Sequence, residues 1–203
     1  MTLVVVSKTK TPGEILEVYN EGQRVFGENK VQELTTKYEQ LPKEIEWHMV
    51  GHLQTNKVKY IAPFVSLIHS IDSWKLLEEV NKQAKIYNRL IEVLLQIHIA
   101  QEETKFGLSY SEAKMILLNR GLKELNRVRI RGLMGMATLT EDKAQIRNEF
   151  RTLKNFFDEM KELKAADPKL QILSIGMSND YKIAVQEGST VVRIGSAIFP
   201  KKL

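Results

Sequence analysis

The sequence predicts an α/β fold in which eight parallel strands close into a barrel. Apolar, β-branched runs of strand length recur eight times, helix-period segments separate them seven times, and the connecting loops are short. Strands that alternate with helices through short loops pair in parallel by right-handed crossovers, and eight such strands close naturally. An open doubly wound sheet is the alternative. A dinucleotide-binding sheet would carry G-x-G-x-x-G after its first strand, and here that strand is followed by Ser7-Lys8-Thr9-Lys10.

The strand runs fall at 3–6, 24–26, 47–50, 67–71, 93–99, 129–134, 172–175 and 190–194. The helical segments fall at 12–20, 30–39, 54–62, 74–87, 112–119, 142–163 and 180–187. Thr11 before Pro12 reads as an N-cap followed by proline at the first helical position, where a missing N–H costs nothing. Ser109-x-x-Glu112 has the capping-box pattern, and Gly22, Gly121 and Gly188 stand just past helix ends, where a left-handed residue is wanted. In the long segment 142–163, Ile146, Phe150, Leu153, Phe157 and Met160 recur at spacings of three and four, one apolar stripe for the sheet. No internal repeat, low-complexity tract or linker interrupts the chain, so residues 1–203 read as one domain.

Composition excludes several classes of function. The chain has no cysteine, hence no disulfide framework, thiolate metal site or cysteine nucleophile, which fits a cytoplasmic protein. Its longest apolar runs, such as 3–6, fall far short of the ~20 residues a membrane helix needs. Ser7, Lys8 and Lys10 break the first run too early for a signal peptide. The 30 Lys and Arg outnumber the 25 Asp and Glu, but the two signs are interleaved and no basic block alternates with aromatics. A nucleic-acid partner is therefore not expected, and the charge reads as solvated helix surface.

In a parallel barrel the chemistry sits at the C-terminal strand ends. Period-two alternation puts Val4, Val6 and Lys8 on the interior face of the first strand. An interior ammonium is costly to desolvate, and burial favours the neutral amine, which is the nucleophile for a Schiff base. The other reading is that the strand ends at Val6 and Lys8 is an ordinary loop lysine. Gly176-Met177-Ser178-Asn179-Asp180 and Gly195-Ser196-Ala197 follow the seventh and eighth strands, the recurrent phosphate site of barrels. Helix capping by Ser178 or Asn179 is the plain alternative. Arg193 shares an inward face with Val191 and needs an acceptor: a phosphate, an internal carboxylate or a heteroaromatic nitrogen. In the loop Gly27-Glu28-Asn29, Asn29 could orient a ligand hydroxyl or cap the next helix. His48 and His52 lack the helical H-E-x-x-H context and a third ligand, so no metal site is expected.

Val5-Ser7-Lys8-Thr9-Lys10, Phe26-Gly27-Glu28-Asn29, Trp47-His48 with Gly51 and Gln54-x-Asn56-Lys57, Arg131-Gly132-Leu133-Met134, Ser174-x-Gly176-Met177-Ser178-Asn179-Asp180 and the run from Val192 to Phe199 arrive together and in order. This constellation resembles the pyridoxal-phosphate homeostasis protein family, alanine racemase-like proteins on a fold type III, TIM-type barrel. The resemblance spans nearly the whole chain. It implies that Lys8 holds pyridoxal 5'-phosphate (PLP) as an internal aldimine, that Ser178, Gly195 and Ser196 bind the phosphate, and that Asn29 lies beside the cofactor. It also implies that Arg193 faces the pyridine nitrogen, and that Met134 and Met177 line the pocket.

Two functions are compatible with that barrel. One is a carrier that stores, buffers or delivers PLP to PLP-dependent apo-enzymes, working as a monomer or weak homodimer with little or no catalysis. The other is an amino-acid racemase. A racemase needs a second base opposite the lysine and, in related enzymes, a C-terminal β domain. Only residues 200–203 follow Phe199, and no tyrosine lies in a family motif. The expected architecture is thus a single (β/α)8 barrel without a C-terminal β domain. It also lacks the usual N-terminal helix, since Met1 is one residue from the first strand, and one side of the first or last strand is expected to lose its helical cover.

Overall fold

The computed structural model describes residues 1–102, 106–163 and 170–199. It is a closed barrel of eight strands in sequential order, β1 (Thr2–Val6), β2 (Val25–Glu28), β3 (Glu46–Met49), β4 (Leu67–Ile71), β5 (Ile91–Ile97), β6 (Val128–Gly135), β7 (Ile172–Ser174) and β8 (Val191–Ile194). All neighbours are parallel, and the β1–β8 pairing, with Val4 opposite Arg193, shuts the ring. The crossover helices are α1 (Pro12–Asn20), α2 (Val31–Gln40), α3 (Val58–Ile61), α4 (Trp74–Ile86), α5 (Tyr110–Leu118), α6 (Lys143–Glu162) and α7 (Tyr181–Gln186). The predicted (β/α)8 TIM-type barrel is the fold observed.

Period-two alternation separates two apolar regions. Val5, Phe26, Trp47, Ile68, Val93 and Leu173 point outward and join the helices in the large core. Val4, Val50 and Val191 pack inside the barrel, as do Leu67, Leu94 and Met134 in a second interior cluster. Burying both faces of every strand is why these segments read as nearly continuous hydrophobic runs. On the outer side of β1 and β8, Leu3 is 36% exposed whereas Val5, Val192 and Ile194 are buried, so thin cover is confined to the start of β1.

Local signals account for most boundaries. Thr11 Oγ1 accepts from the Glu14 amide while Glu14 Oε2 accepts from the Thr11 amide, and Ser109 and Glu112 repeat the arrangement. Gly22 and Gly188 take the left-handed conformation after α1 and α7. Gly121 does not: it lies inside a 3-10 segment, Arg120–Glu124, whose start is capped by Asn119 Oδ1. The helix expected at 54–62 is instead a 3-10 turn, Thr55–Lys57, followed by the four-residue α3. Gln54 makes no side-chain cap there, and Pro63 has no N–H to continue the helical ladder, which ends the run. Gly27 and Glu28, expected in a loop, extend β2, because Gly27 pairs with both Val6 and His48.

Candidate functional site

The nominated residues Lys8, Asn29, Met177, Ser178, Arg193, Gly195 and Ser196 fall on or just beyond four contiguous strands, β7, β8, β1 and β2. Barrel closure thus brings the two ends of the sequence to one sector of the mouth. Lys8 sits past the end of β1 in the turn 7–10, whose Lys10 amide bonds the Ser7 carbonyl at 3.0 Å. Lys8 is exposed, which corrects the interior position that strand parity predicts for it. The strand stops at Val6, and its last alternation carries Lys8 to the rim rather than into the packed interior. Asn29 is also exposed, at the end of β2, and makes no side-chain cap for α2, whose N-cap is Lys30.

Ser178 is not a cap for α7. Its hydroxyl accepts from the Gly195 amide at 3.3 Å, tying the loop after β7 to the loop after β8. The Met177 amide donates to Asp180 Oδ1 at 2.5 Å, and the Asp180 and Tyr181 amides return to the Met177 carbonyl, which folds the 177–181 loop into a compact turn. After β8, the Ile198 and Phe199 amides both bond the Gly195 carbonyl, so residues 195–199 form one helical turn. Among the described residues, the amides of Ser178, Asn179, Ser196 and Ala197 have no protein acceptor. Two glycines make this concavity possible. A Cβ on Gly195 would lie 2.9 Å from the Val6 carbonyl oxygen, and Gly176, at φ 96°, would set one 2.6 Å from Ala184 Cβ.

Beneath the mouth runs a buried polar chain. Arg193 is 4% exposed; its Nη1 donates to the Ser174 carbonyl (2.7 Å) and hydroxyl (2.5 Å), and its Nη2 donates to the Gly135 carbonyl (3.0 Å). Ser174 Oγ lies 3.0 Å from His69 Nδ1, and His69 Nε2 lies 3.0 Å from His48 Nδ1. Since Ser174 already accepts from Arg193, its own proton is best used on His69 Nδ1. His69 then carries its proton on Nε2 and gives it to His48, and both rings are neutral. Burial pushes His48 down to about 4; burial first, and then the repulsion that Arg193 and a protonated His48 would exert on an imidazolium, holds His69 well below its ordinary value. Burial also lowers Arg193 to about 10, opposed by the Asp180 carboxylate, so the guanidinium stays charged at neutral pH.

His48 and His52, set aside as a metal pair on the sequence, are also apart in the fold: the partner of His48 is His69. His52 turns outward to Asp72 (3.2 Å) and stacks on Phe106. Alternation along β3 and β4 puts His48 and His69 on the inward face of adjacent strands, and that was the available signal. Met134 is fully buried among Leu67 and Leu94, a packing residue of the interior. A cavity of about 430 Å³ opens at the other end of the barrel between Leu122, Arg129, Arg131 and Gln171, away from all the nominated residues.

Comparison with known proteins identifies the family. The family described as "Alanine racemase, N-terminal domain" matches residues 2–201. A protein of Aquifex aeolicus named pyridoxal phosphate homeostasis protein is 41% identical over 202 residues, covering 98% of this chain and 86% of that protein. The protein of the same name from Escherichia coli K12 is 36% identical over 98% of this chain and 85% of its own length. Among solved structures, PipY of Synechococcus elongatus with PLP bound superposes with a TM-score of 0.89 at 35% identity, covering 98% of this chain and 92% of PipY. Alanine racemase of Bartonella henselae, 15% identical with a TM-score of 0.72, shares the fold over 98% of this chain and 54% of the enzyme. By full-length identity and by the matched domain, the chain belongs to the pyridoxal phosphate homeostasis protein family, built on the alanine racemase N-terminal domain.

Proposed function

We propose that this protein binds PLP at the β7–β8–β1–β2 sector of the barrel mouth, with Lys8 as the covalent anchor, and that it stores, buffers or delivers the cofactor to apo-enzymes in the cytoplasm with little or no turnover of its own. The observation that carries the reading is the Ser178–Gly195 bond, which builds an amide-lined concavity beside the strand that leads into the Lys8 turn. The residues present match three of the cofactor's polar groups. A phosphate monoester needs several N–H and O–H donors, and the free amides of residues 178, 179, 196 and 197 with the Ser196 hydroxyl supply them. A carbaldehyde needs a primary amine at the rim, and Lys8 offers one. A pyridine nitrogen needs a hydrogen-bond donor, and Arg193 donates three of its five N–H groups to Ser174 and Gly135.

The bound group supplies an aldehyde carbon that condenses with an amine, with loss of water, and a ring able to withdraw electrons. The chain's own residues decide how far that ability is used. Arg193, held by Ser174 and the histidine pair, remains a cation that donates hydrogen bonds and does not give up its proton at neutral pH. A ring nitrogen that faces it stays unprotonated, a weaker electron sink than one facing a carboxylate. Tyr38 stacks on Phe64 and Tyr110 meets Phe156 edge to face in the helical layer, so neither serves as the second base a racemase requires.

The test is the visible spectrum. Protein loaded with PLP is expected to be yellow, and borohydride followed by peptide mass mapping should attach the reduced cofactor to Lys8. The Lys8→Ala protein should lose the absorbance, and colour that survives in this variant would sink the assignment. Rapid interconversion of L- and D-alanine by the wild type would replace the carrier with the racemase reading.

A further inference from the structure

We propose that Glu33, Lys37 and Glu28 form a positioning frame that fixes the Lys8 backbone from both sides and so aims its amine; this rests on Lys8 being the cofactor-binding lysine. The frame lies behind β1, between the barrel and α2, and reaches the residue before Lys8 and the residue after it. Ser7 points outward and is fully buried, and its hydroxyl donates to Glu28 Oε1 at 2.6 Å. Its carbonyl accepts from Lys37 Nζ at 2.8 Å and from the Lys10 amide at 3.0 Å. On the other side, the Thr9 amide donates to Glu33 Oε2 at 2.9 Å. Lys37 joins the two halves, with Nζ 2.6 Å from Glu28 Oε1 and 3.3 Å from Glu33 Oε2.

Two features distinguish this frame from an ordinary ion pair that docks a helix. The first is its cost. The Glu28 side chain is 0% exposed and that of Lys37 7%, and an apolar pair of similar volume often holds a helix as well as a buried ion pair does. The charges do what apolar groups cannot, since they bind the main chain at Ser7. The second is strain. Thr9 adopts φ 64°, a region that a β-branched residue rarely occupies, and it does so at the residue following Lys8. The Glu33 bond to its amide holds that turn. With Ser7 and Thr9 both anchored, Lys8 cannot rotate about the turn without breaking bonds to the frame.

Wild type, Glu33→Ala, Glu33→Gln and Lys8→Ala are each mixed with free PLP, and the rate of absorbance change and the mass trapped on Lys8 by borohydride are followed. Hydrogen exchange at the Thr9 amide is measured without cofactor. Glu33 is partly exposed, so its variants should keep the wild-type circular dichroism spectrum and melt within a few degrees of it. Glu33→Ala should slow modification of Lys8 by about tenfold, the equivalent of one charge-assisted hydrogen bond, and its Thr9 amide should exchange faster. Glu33→Gln keeps an acceptor oxygen for Thr9 and should recover most of the rate. If Lys8 is trapped in the wild type but reacts as fast in Glu33→Ala, the frame has no positioning role and the inference falls while the function stands. If the wild type is never trapped at Lys8, the function falls first and takes the frame with it.

Discussion

Thr9 and Asn88 have left-handed backbones, at φ 64° and 50°, and they are not equivalent. Asn tolerates this region because its short side chain can bond locally, whereas a residue with a branched Cβ pays about 1–2 kcal/mol for it. Thr9→Gly should therefore raise the unfolding free energy by about 1 kcal/mol in urea titrations, while Lys8 reacts more slowly with PLP because the turn is looser. A variant less stable than wild type would show that Thr9 is not strained. Single residues were readable where alternation alone decides the direction: the inward, buried side chain of Arg193 follows from period two, whereas Lys8, past the end of its strand, escapes that rule. They were unreadable where a long-range partner decides the role. Ser178 could as well have been a helix cap, because its actual partner, Gly195, is 17 residues away and reaches it only after β7 and β8 pair. The exposure of Lys8 likewise depends on where β1 stops, which is set by its neighbours' register rather than by its own residues.

At the scale of elements, α6 gives the clearest translation from pattern to packing. Ile146, Phe150, Leu153, Phe157 and Met160 are all buried, and the opposite face carries the charges. Asp142 caps it by accepting from the Ala144 and Gln145 amides. The same helix steadies the loop beyond β6, since Glu149 accepts from the Thr138 amide and hydroxyl, both at 2.7 Å. Phe150→Ala should cost about 3–5 kcal/mol in unfolding free energy, the usual range for emptying a packed aromatic site. Lys114→Ala, which breaks an exposed 2.7 Å pair between α5 and α6, should cost less than about 1 kcal/mol in the same titration. Long stripes and capping boxes were legible because they are contained within one segment. The short third helix was not, because its apolar residues Val58 and Ile61 fit a helical period while the lack of a cap and Pro63 limit it to four residues.

Across the whole molecule, closure of the barrel gathers buried ionisable groups whose linkage to pH can be worked out. His48 and His69 are neutral in the folded protein, with values near 4 and well below 6.5, and they regain ordinary behaviour on unfolding. Between about pH 6.5 and 4 the unfolded chain binds protons that the folded chain refuses, so acid destabilises the fold. For His48 alone the full loss is on the order of 3 kcal/mol. Glu28 acts in the opposite sense. Burial raises its carboxyl, with Lys37 and Ser7 pulling it back, so the folded state keeps a proton above pH 4.5 that the unfolded state releases, and stability falls as pH rises through that window. The two effects oppose one another above pH 4.5, and the wild-type profile is their difference. Urea titrations from pH 7.5 to 4.5 should show stability declining toward acid, and Glu28→Gln, whatever its absolute stability, should show a steeper decline because the opposing group is gone. An unchanged slope in that variant would mean that Glu28 is ionised in the fold as readily as in water. A flat wild-type profile that stays flat in the variant would mean the same of the two histidines. Their outcome reaches the proposed function directly, because the pair that must stay neutral is the pair that holds Ser174, and through it Arg193, under the mouth of the barrel.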